Sequence, residues 1–223
     1  MNLLFLALAP VVIILVFVYK YDKYEKEPLS LMLLCVIGGA LSVIPILPLE
    51  RALSLPMANM TGNAQAAWNA FVVAAFSEEL FKYIIVLLIV WRNRNFNEKF
   101  DGIVYAVCVS LGFAAVENVL YVLDGGTGTA YMRAITAVPG HAIFGITMGF
   151  YLGRAKMLAF NKRLNLFLAL FLTILIHGMY DFILMSQMPF FILIFIVFLL
   201  LMYRYGFNQM EKHIITSRFK PKA

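Results

Sequence analysis

Two adjacent glutamates and a lysine, in the run Phe76-Ser77-Glu78-Glu79-Leu80-Phe81-Lys82, stand inside a long apolar stretch from Ala66 to Trp91. Glu78 and Lys82 are four residues apart, so on a helix they share a face. Further along, Phe113, Glu117 and Tyr121 recur at helical spacing with Asn118 beside them, and His141 sits in another apolar segment. Thr173, His177 and Asp181 form a second ladder, on which Asp181 can orient or charge the His177 imidazole. These residue types do proton chemistry. A carboxylate in a water-poor cavity can take a proton from water and return it to a leaving amine. A nearby imidazole can donate to a developing oxyanion. The same groups would also suit a divalent metal such as zinc, held by His141, His177 and Glu78, that activates the water directly. No HExxH run is present, so the common helical zinc arrangement is excluded, and there is neither a serine-nucleophile signal nor a pair of membrane aspartates.

The elements that must position these groups are set by composition. Of 223 residues, 63% are hydrophobic and 13% charged, too little polar surface for a domain that faces water on all sides. The fold class is therefore all-α, a polytopic integral membrane helix bundle. A span needs about 20 apolar residues, and seven segments qualify or come close, at 2–19, 29–49, 66–91, 102–123, 133–153, 164–186 and 189–206. The first is expected to be an anchor helix and not a cleaved signal. The chain divides into a bundle over 1–206, with its chemistry within 66–186, and a basic tail over 207–223 that suits anionic inner-leaflet lipid. Of the 18 Lys and Arg, all but Arg51, Arg133 and the intramembrane Lys82 fall in the loops 20–28, 92–100 and 154–163 or from Arg204 to the end of the tail, Lys222 included. That asymmetry places the amino terminus outside and the carboxyl terminus in the cytoplasm. Basic residues clustered between apolar runs argue against nucleic acid as a partner.

Smaller signals concern packing. Gly145, Gly149 and Gly153 form a small-residue stripe for close helix approach. Gly38, Gly39, Pro45 and Pro48 predict a kinked second segment. Gly125-Gly126-Thr127-Gly128 reads as a turn, without the lysine of a phosphate loop. Cys35 and Cys108 lie in different apolar segments and read as packed thiols.

Seven ionisable groups (Glu78, Glu79, Lys82, Glu117, His141, His177 and Asp181) thus fall on four spans. Each charged one costs roughly 2.5–3.5 kcal/mol at mid-membrane even on the lenient scale, so they need one another. Counted along each helix, Glu117, His141, His177 and Asp181 fall in the outer half of the bilayer and the Glu78-Glu79 pair near its middle, so that they can converge on one cavity. Hydrolysis inside the membrane is the first reading of such a cavity. A proton- or ion-coupled transporter is the alternative, since carriers also use buried Glu, His and Lys, although no internal repeat is evident.

Glu78-Glu79-Leu80-Phe81-Lys82 resembles the EExxK motif of PrsW-type intramembrane proteases, and Phe113-Ala114-Ala115-Val116-Glu117-Asn118 is similar to their FxxxEN motif. His141-Ala142-Ile143-Phe144 and His177-Gly178-Met179-Tyr180-Asp181 resemble the remaining two, in order on successive helices. The family is a distant relative of CAAX prenyl endopeptidases, from which this chain departs at Lys82, Glu117 and Asp181. The resemblance implies a multi-pass bacterial plasma-membrane peptidase. It would make the first, extracytoplasmic-side cut in a single-pass membrane-anchored anti-sigma factor, releasing a sigma factor under envelope or antimicrobial-peptide stress. In that reading Glu78 and Glu79 activate water and Glu117, His141 and His177 are co-catalytic or metal-binding. Asp181, Lys82 and Asn118 support them. The resemblance leans glutamic, and the ligand set allows a metal.

Overall fold

The computed structural model describes residues 2–158, 160–186 and 189–221; Lys222, counted above with the basic tail, lies outside them. Among the described residues there is no strand. The helices are α1 (Leu3–Tyr21), α2 (Leu29–Leu41), α3 (Val43–Ser54), α4 (Gly62–Trp68), α5 (Ser77–Val90), α6 (Lys99–Ile135), α7 (Ala137–Met157), α8 (Lys162–Met185) and α9 (Phe191–Ile215). A short 3₁₀ turn (Leu55–Asn59) follows α3, and a π-helical stretch (Asn69–Phe76) joins α4 to α5 without a break.

Local sequence accounts for several boundaries. The Asn2 side chain accepts from the Leu4 N–H and caps α1. Glu98 and Asp101 form a reciprocal capping box that starts α6. The expected kink in the second segment falls at Ser42, between α2 and α3. The expected turn at Gly125–Gly128 is instead a kink inside α6, where Gly126 takes φ 72° and ψ −159°, a conformation few other residues tolerate.

Five helical segments among the described residues are long and apolar enough to cross a membrane: Leu3–Tyr21, Leu29–Asn59, Lys99–Met157, Lys162–Met185 and Phe191–Ile215. The segment count differs from the expected seven for two reasons. Lys99–Met157 folds back on itself as α6 and α7, and the run from α4 to α5 carries Glu78, Glu79 and Lys82 and changes helix type midway.

α6 is the hub. From Phe100 to Ala114 every residue is buried, and α1, α2, α5 and α7 pack around it. The outer faces of α1, α8 and α9 expose large apolar side chains such as Phe5, Ile13, Phe167, Leu193 and Leu200, surface that lipid covers without cost. The glycine stripe lets α6 and α7 touch backbone to backbone. A Cβ built on Gly149 would lie 2.2 Å from the Gly102 carbonyl oxygen, and one on Gly153 2.1 Å from that of Lys99. Gly145 meets Val107 in the same antiparallel register. Neither backbone can yield to such a Cβ, so Gly149→Val should force α6 and α7 apart. We expect a loss of at least the ~1–3 kcal/mol typical of overpacking, read as a lowered thermal midpoint of the purified protein in detergent.

Candidate active site

The π-helical stretch ends two residues before Glu78, at Phe76, and π-helical turns are frequent at functional sites. From that point α5 buries Glu78 (5% exposed), Glu79 (0%) and Lys82 (1%) among α6, α7 and α8. The Lys82 ammonium donates to Glu78 Oε2 at 2.9 Å and to Glu79 Oε1 at 2.8 Å. It lies 3.3 Å from His141 Nδ1 and 4.0 Å from the centre of the Phe113 ring. Two carboxylates on adjacent residues would repel strongly in this low-dielectric setting. The amine between them is what lets both be buried.

The convergence expected from helical depth is present. His177 Nδ1 lies 2.9 Å from Glu79 Oε1 and its Nε2 3.2 Å from Asp181 Oδ2, so the ring bridges α5 to the last turns of α8. With both carboxylates ionised, both nitrogens must donate. Phe144 stacks on the same ring, with centroids 4.4 Å apart. His141 Nε2 meets Glu117 Oε2 at 2.9 Å. Because the ammonium of Lys82 approaches Nδ1, that nitrogen must accept, and Nε2 then donates to Glu117. Asn118 is placed differently from the rest. It is fully buried behind the site, with Nδ2 donating to the Ala7 carbonyl of α1 and Oδ1 accepting from Arg133 Nε at 2.7 Å.

Glu78, Glu117, His141, His177 and Asp181 line a cavity of about 270 Å³ together with Tyr121, Arg133, Thr136, Phe144 and Tyr180. Glu79 does not reach it. The two adjacent glutamates are thereby distinguished. Glu78 uses Oε2 on Lys82 and keeps part of its carboxyl open to the cavity, whereas Glu79 is sealed behind it between Lys82 and His177.

Two charged residues of the site escaped the sequence reading. Arg133, counted there only toward the charge balance of the two faces, donates to Glu117 Oε2 at 2.6 Å. The two residues are 16 apart, about 24 Å along a straight helix, and the Gly126 kink is what brings them together. Glu50 on α3 lies within charge-interaction range of Glu117, Lys82, His177 and Asp181. Both sit at the ends of apolar segments, where a hydropathy boundary assigns a charge to a loop. Arg133 was nonetheless one of only two basic residues on the sparsely charged side, which was the available signal.

Three groups of the site are of a type that could ligate a metal. The ligand atoms that lie within 4.8 Å of one another belong to Glu78, Glu79 and His141. The expected set of His141, His177 and Glu78 is not the one gathered, because His177 is turned toward Glu79 and Asp181. The three gathered groups are of the right type, yet the Lys82 ammonium contacts all three. It takes the position a cation would need. With Lys82 there, the residues do not fit a metal.

A family model described as PrsW family intramembrane metalloprotease matches residues 27–204. The chain is 38% identical over 205 residues to a protein named Protease PrsW from Oceanobacillus iheyensis, covering 88% of this chain and 93% of that one. It is 38% identical to Protease PrsW of Bacillus subtilis, over 86% of this chain and 88% of that one. Against Protease PrsW of Clostridioides difficile it is 35% identical, over 98% and 94% respectively. No solved structure matches the chain.

Proposed function

The chain belongs to the PrsW family of intramembrane proteases, a multi-pass bacterial membrane peptidase, and from that premise we propose that it makes the first, extracytoplasmic-side cut in a single-pass membrane-anchored anti-sigma factor. That cut would release a sigma factor for an envelope or antimicrobial-peptide stress response. The bundle crosses the membrane seven times, amino terminus outside. The α4–α5 run and both arms of the α6–α7 hairpin are counted as spans, and the basic loops lie in the cytoplasm. His141 is four residues from the start of α7, Glu117 eighteen from that of α6 and His177 fifteen from that of α8. At about 1.5 Å per residue, Glu117 and His177 lie roughly 22–27 Å from the basic face. That depth supports a cavity serving the outer half of the bilayer.

The chemistry we assign is glutamic. Glu78 takes a proton from a cavity water, whose oxygen attacks the scissile carbonyl carbon. The proton then passes from Glu78 to the leaving amine as the C–N bond breaks. Before substrate binds, the His177 Nε2–H is held by Asp181 at 3.2 Å; the substrate displaces that contact, and the N–H then donates toward the carbonyl oxygen as it gains charge. Glu79 and Asp181 hold that ring in place, and Glu117, clamped by Arg133, fixes His141. The observation that carries this reading is the placement of Glu78, open to the cavity yet bonded to Lys82, with both histidines beside it.

The test is co-expression with an epitope-tagged single-pass anti-sigma factor. We expect a membrane-retained fragment shortened from its extracytoplasmic side. An intact substrate alongside well-folded enzyme would overturn the assignment. Arg133→Ala should lower cleavage by about one to two orders of magnitude, since it frees Glu117 and removes a positioned charge, while Arg133→Lys should restore part of it.

A further inference from the structure

A second polar cluster lies at the opposite, basic-loop end of the bundle, remote from the peptidase site. It is built from the α1–α2 connection and the start of α6. Asp22 and Asp101 are both 0% exposed, and Glu27 and Glu98 are each 3% exposed. None of these four, nor Glu25, forms an ion pair among the described residues. Lys26, on the same connection, instead directs its ammonium at the Tyr19, Lys20 and Asp22 backbone carbonyls and caps α1.

The side-chain oxygens divide into satisfied and orphaned ones. Asp101 Oδ2 accepts from the Asn97 and Glu98 amides at 2.7 Å each. Glu25 Oε1 accepts from Asn97 Nδ2, Glu27 from the Tyr105 hydroxyl and Glu98 from Ser217. Buried and without any partner are both carboxylate oxygens of Asp22, Asp101 Oδ1, Glu25 Oε2 and Asn97 Oδ1. Every orphan is an acceptor. An unmatched buried polar atom typically costs about 1–3 kcal/mol, and the connection and the start of α6 leave five acceptors without a donor.

We propose that the connection 22–27 and the start of α6 bind a hydrated divalent cation of the Mg²⁺ class, with Asp22 and Asp101 as its anionic ligands and the free oxygens of Glu25 and Asn97 completing its shell through water. Oxygen-only donors exclude the softer metals that favour sulfur and imidazole. No three carboxylates here close to within 4.8 Å among the described residues. That spacing favours an ion that keeps several waters and takes one or two carboxylates directly, which is the habit of Mg²⁺ more than of Ca²⁺. The ion would tie the end of α1 to the first turn of α6, the hub that carries Glu117.

The test uses the purified full-length protein in detergent at constant ionic strength, with thermal midpoint as readout. Adding MgCl₂ from micromolar to tens of millimolar should raise the midpoint progressively, by several degrees at saturation, as expected for a ligand bound only by the folded state. Asp22→Asn should remove most of that shift without lowering the metal-free midpoint, since it deletes a repulsive buried charge. Mn²⁺ spin resonance on wild type gives a second readout independent of any variant's folding, with one immobilised ion displaced by excess Mg²⁺. An equal response to NaCl, a Mg²⁺ shift that survives both Asp22→Asn and Asp101→Asn, or no immobilised Mn²⁺ would overturn the proposal. None of these readouts depends on peptidase activity, so they stand apart from the assignment of the substrate.

Discussion

Glu78→Gln should reduce cleavage by about 10²–10⁴-fold, the usual contribution of a positioned general base, while the protein keeps its thermal midpoint within a few degrees. The amide is the same size as the carboxyl, and its oxygen can still accept from Lys82 at the 2.9 Å position now filled by Glu78 Oε2. What it cannot do is take a proton from water. Glu79→Gln should behave differently. Glu79 is sealed from the cavity and bonded to both Lys82 and His177. Both donors use Glu79 Oε1, so the amide would leave each with a neutral acceptor in place of a charged one and bury an NH₂ where Oε2 now has no partner, and this variant should lose stability as well as activity. The pair of measurements, cleavage of the tagged substrate and the thermal midpoint, separates the two roles. Equal activity losses with equal stabilities would remove the distinction between the adjacent glutamates, and full activity in Glu78→Gln would remove the base.

Much of this site was legible in the residues before any coordinates. Charges are so costly inside a membrane that each ionisable group in an apolar run reports a partner elsewhere. The i, i+4 spacings of Glu78 with Lys82 and His177 with Asp181 name two of those contacts directly, and both are made. Helical depth brought Glu117 and His141 to the same level. The unread part has a common cause. Arg133 and Glu50 border apolar segments, and hydropathy alone ends a segment at the first charge, so groups at the mouth of a membrane cavity are assigned to loops. The fold back of α6 at Gly126, which carries Arg133 to Glu117, depends on the conformation of one glycine in a run of several. The ranking of Glu78 over Glu79 was unreadable because adjacent helix positions differ by only 100° in direction. Which one meets the cavity depends on how the preceding π-helical turns rotate α5. The acidic cluster at the far end escaped for the opposite reason, since in a loop rich in Asp, Glu and Lys, solvated charges are the ordinary expectation.

Lys82→Met should be the most destabilising single change in the site, and it should also change which cations the site accepts. The ammonium is 1% exposed and neutralises two carboxylates at 2.9 and 2.8 Å. Removing one member of a buried ion pair commonly costs about 3–5 kcal/mol, because the remaining charge is left uncompensated. Here two are left. The protein has two ways to relieve this. It can protonate a glutamate, or it can recruit another cation to the three ligand atoms of Glu78, Glu79 and His141 that Lys82 now holds together within 4.8 Å. The variant is therefore expected to show a thermal midpoint lowered by several degrees that Zn²⁺ partly restores, with about one equivalent of zinc retained after desalting. Wild type should retain none, and its cleavage should survive exhaustive chelation, because the position is filled by a covalently tethered amine. Elemental analysis of both proteins, together with cleavage measured after verified metal removal, decides the matter. Stoichiometric zinc in active wild-type enzyme would require Lys82 to leave the cage in the working state. The water-activating group would then be a metal held by Glu78, Glu79 and His141, and Glu78 would be its ligand and no longer the base.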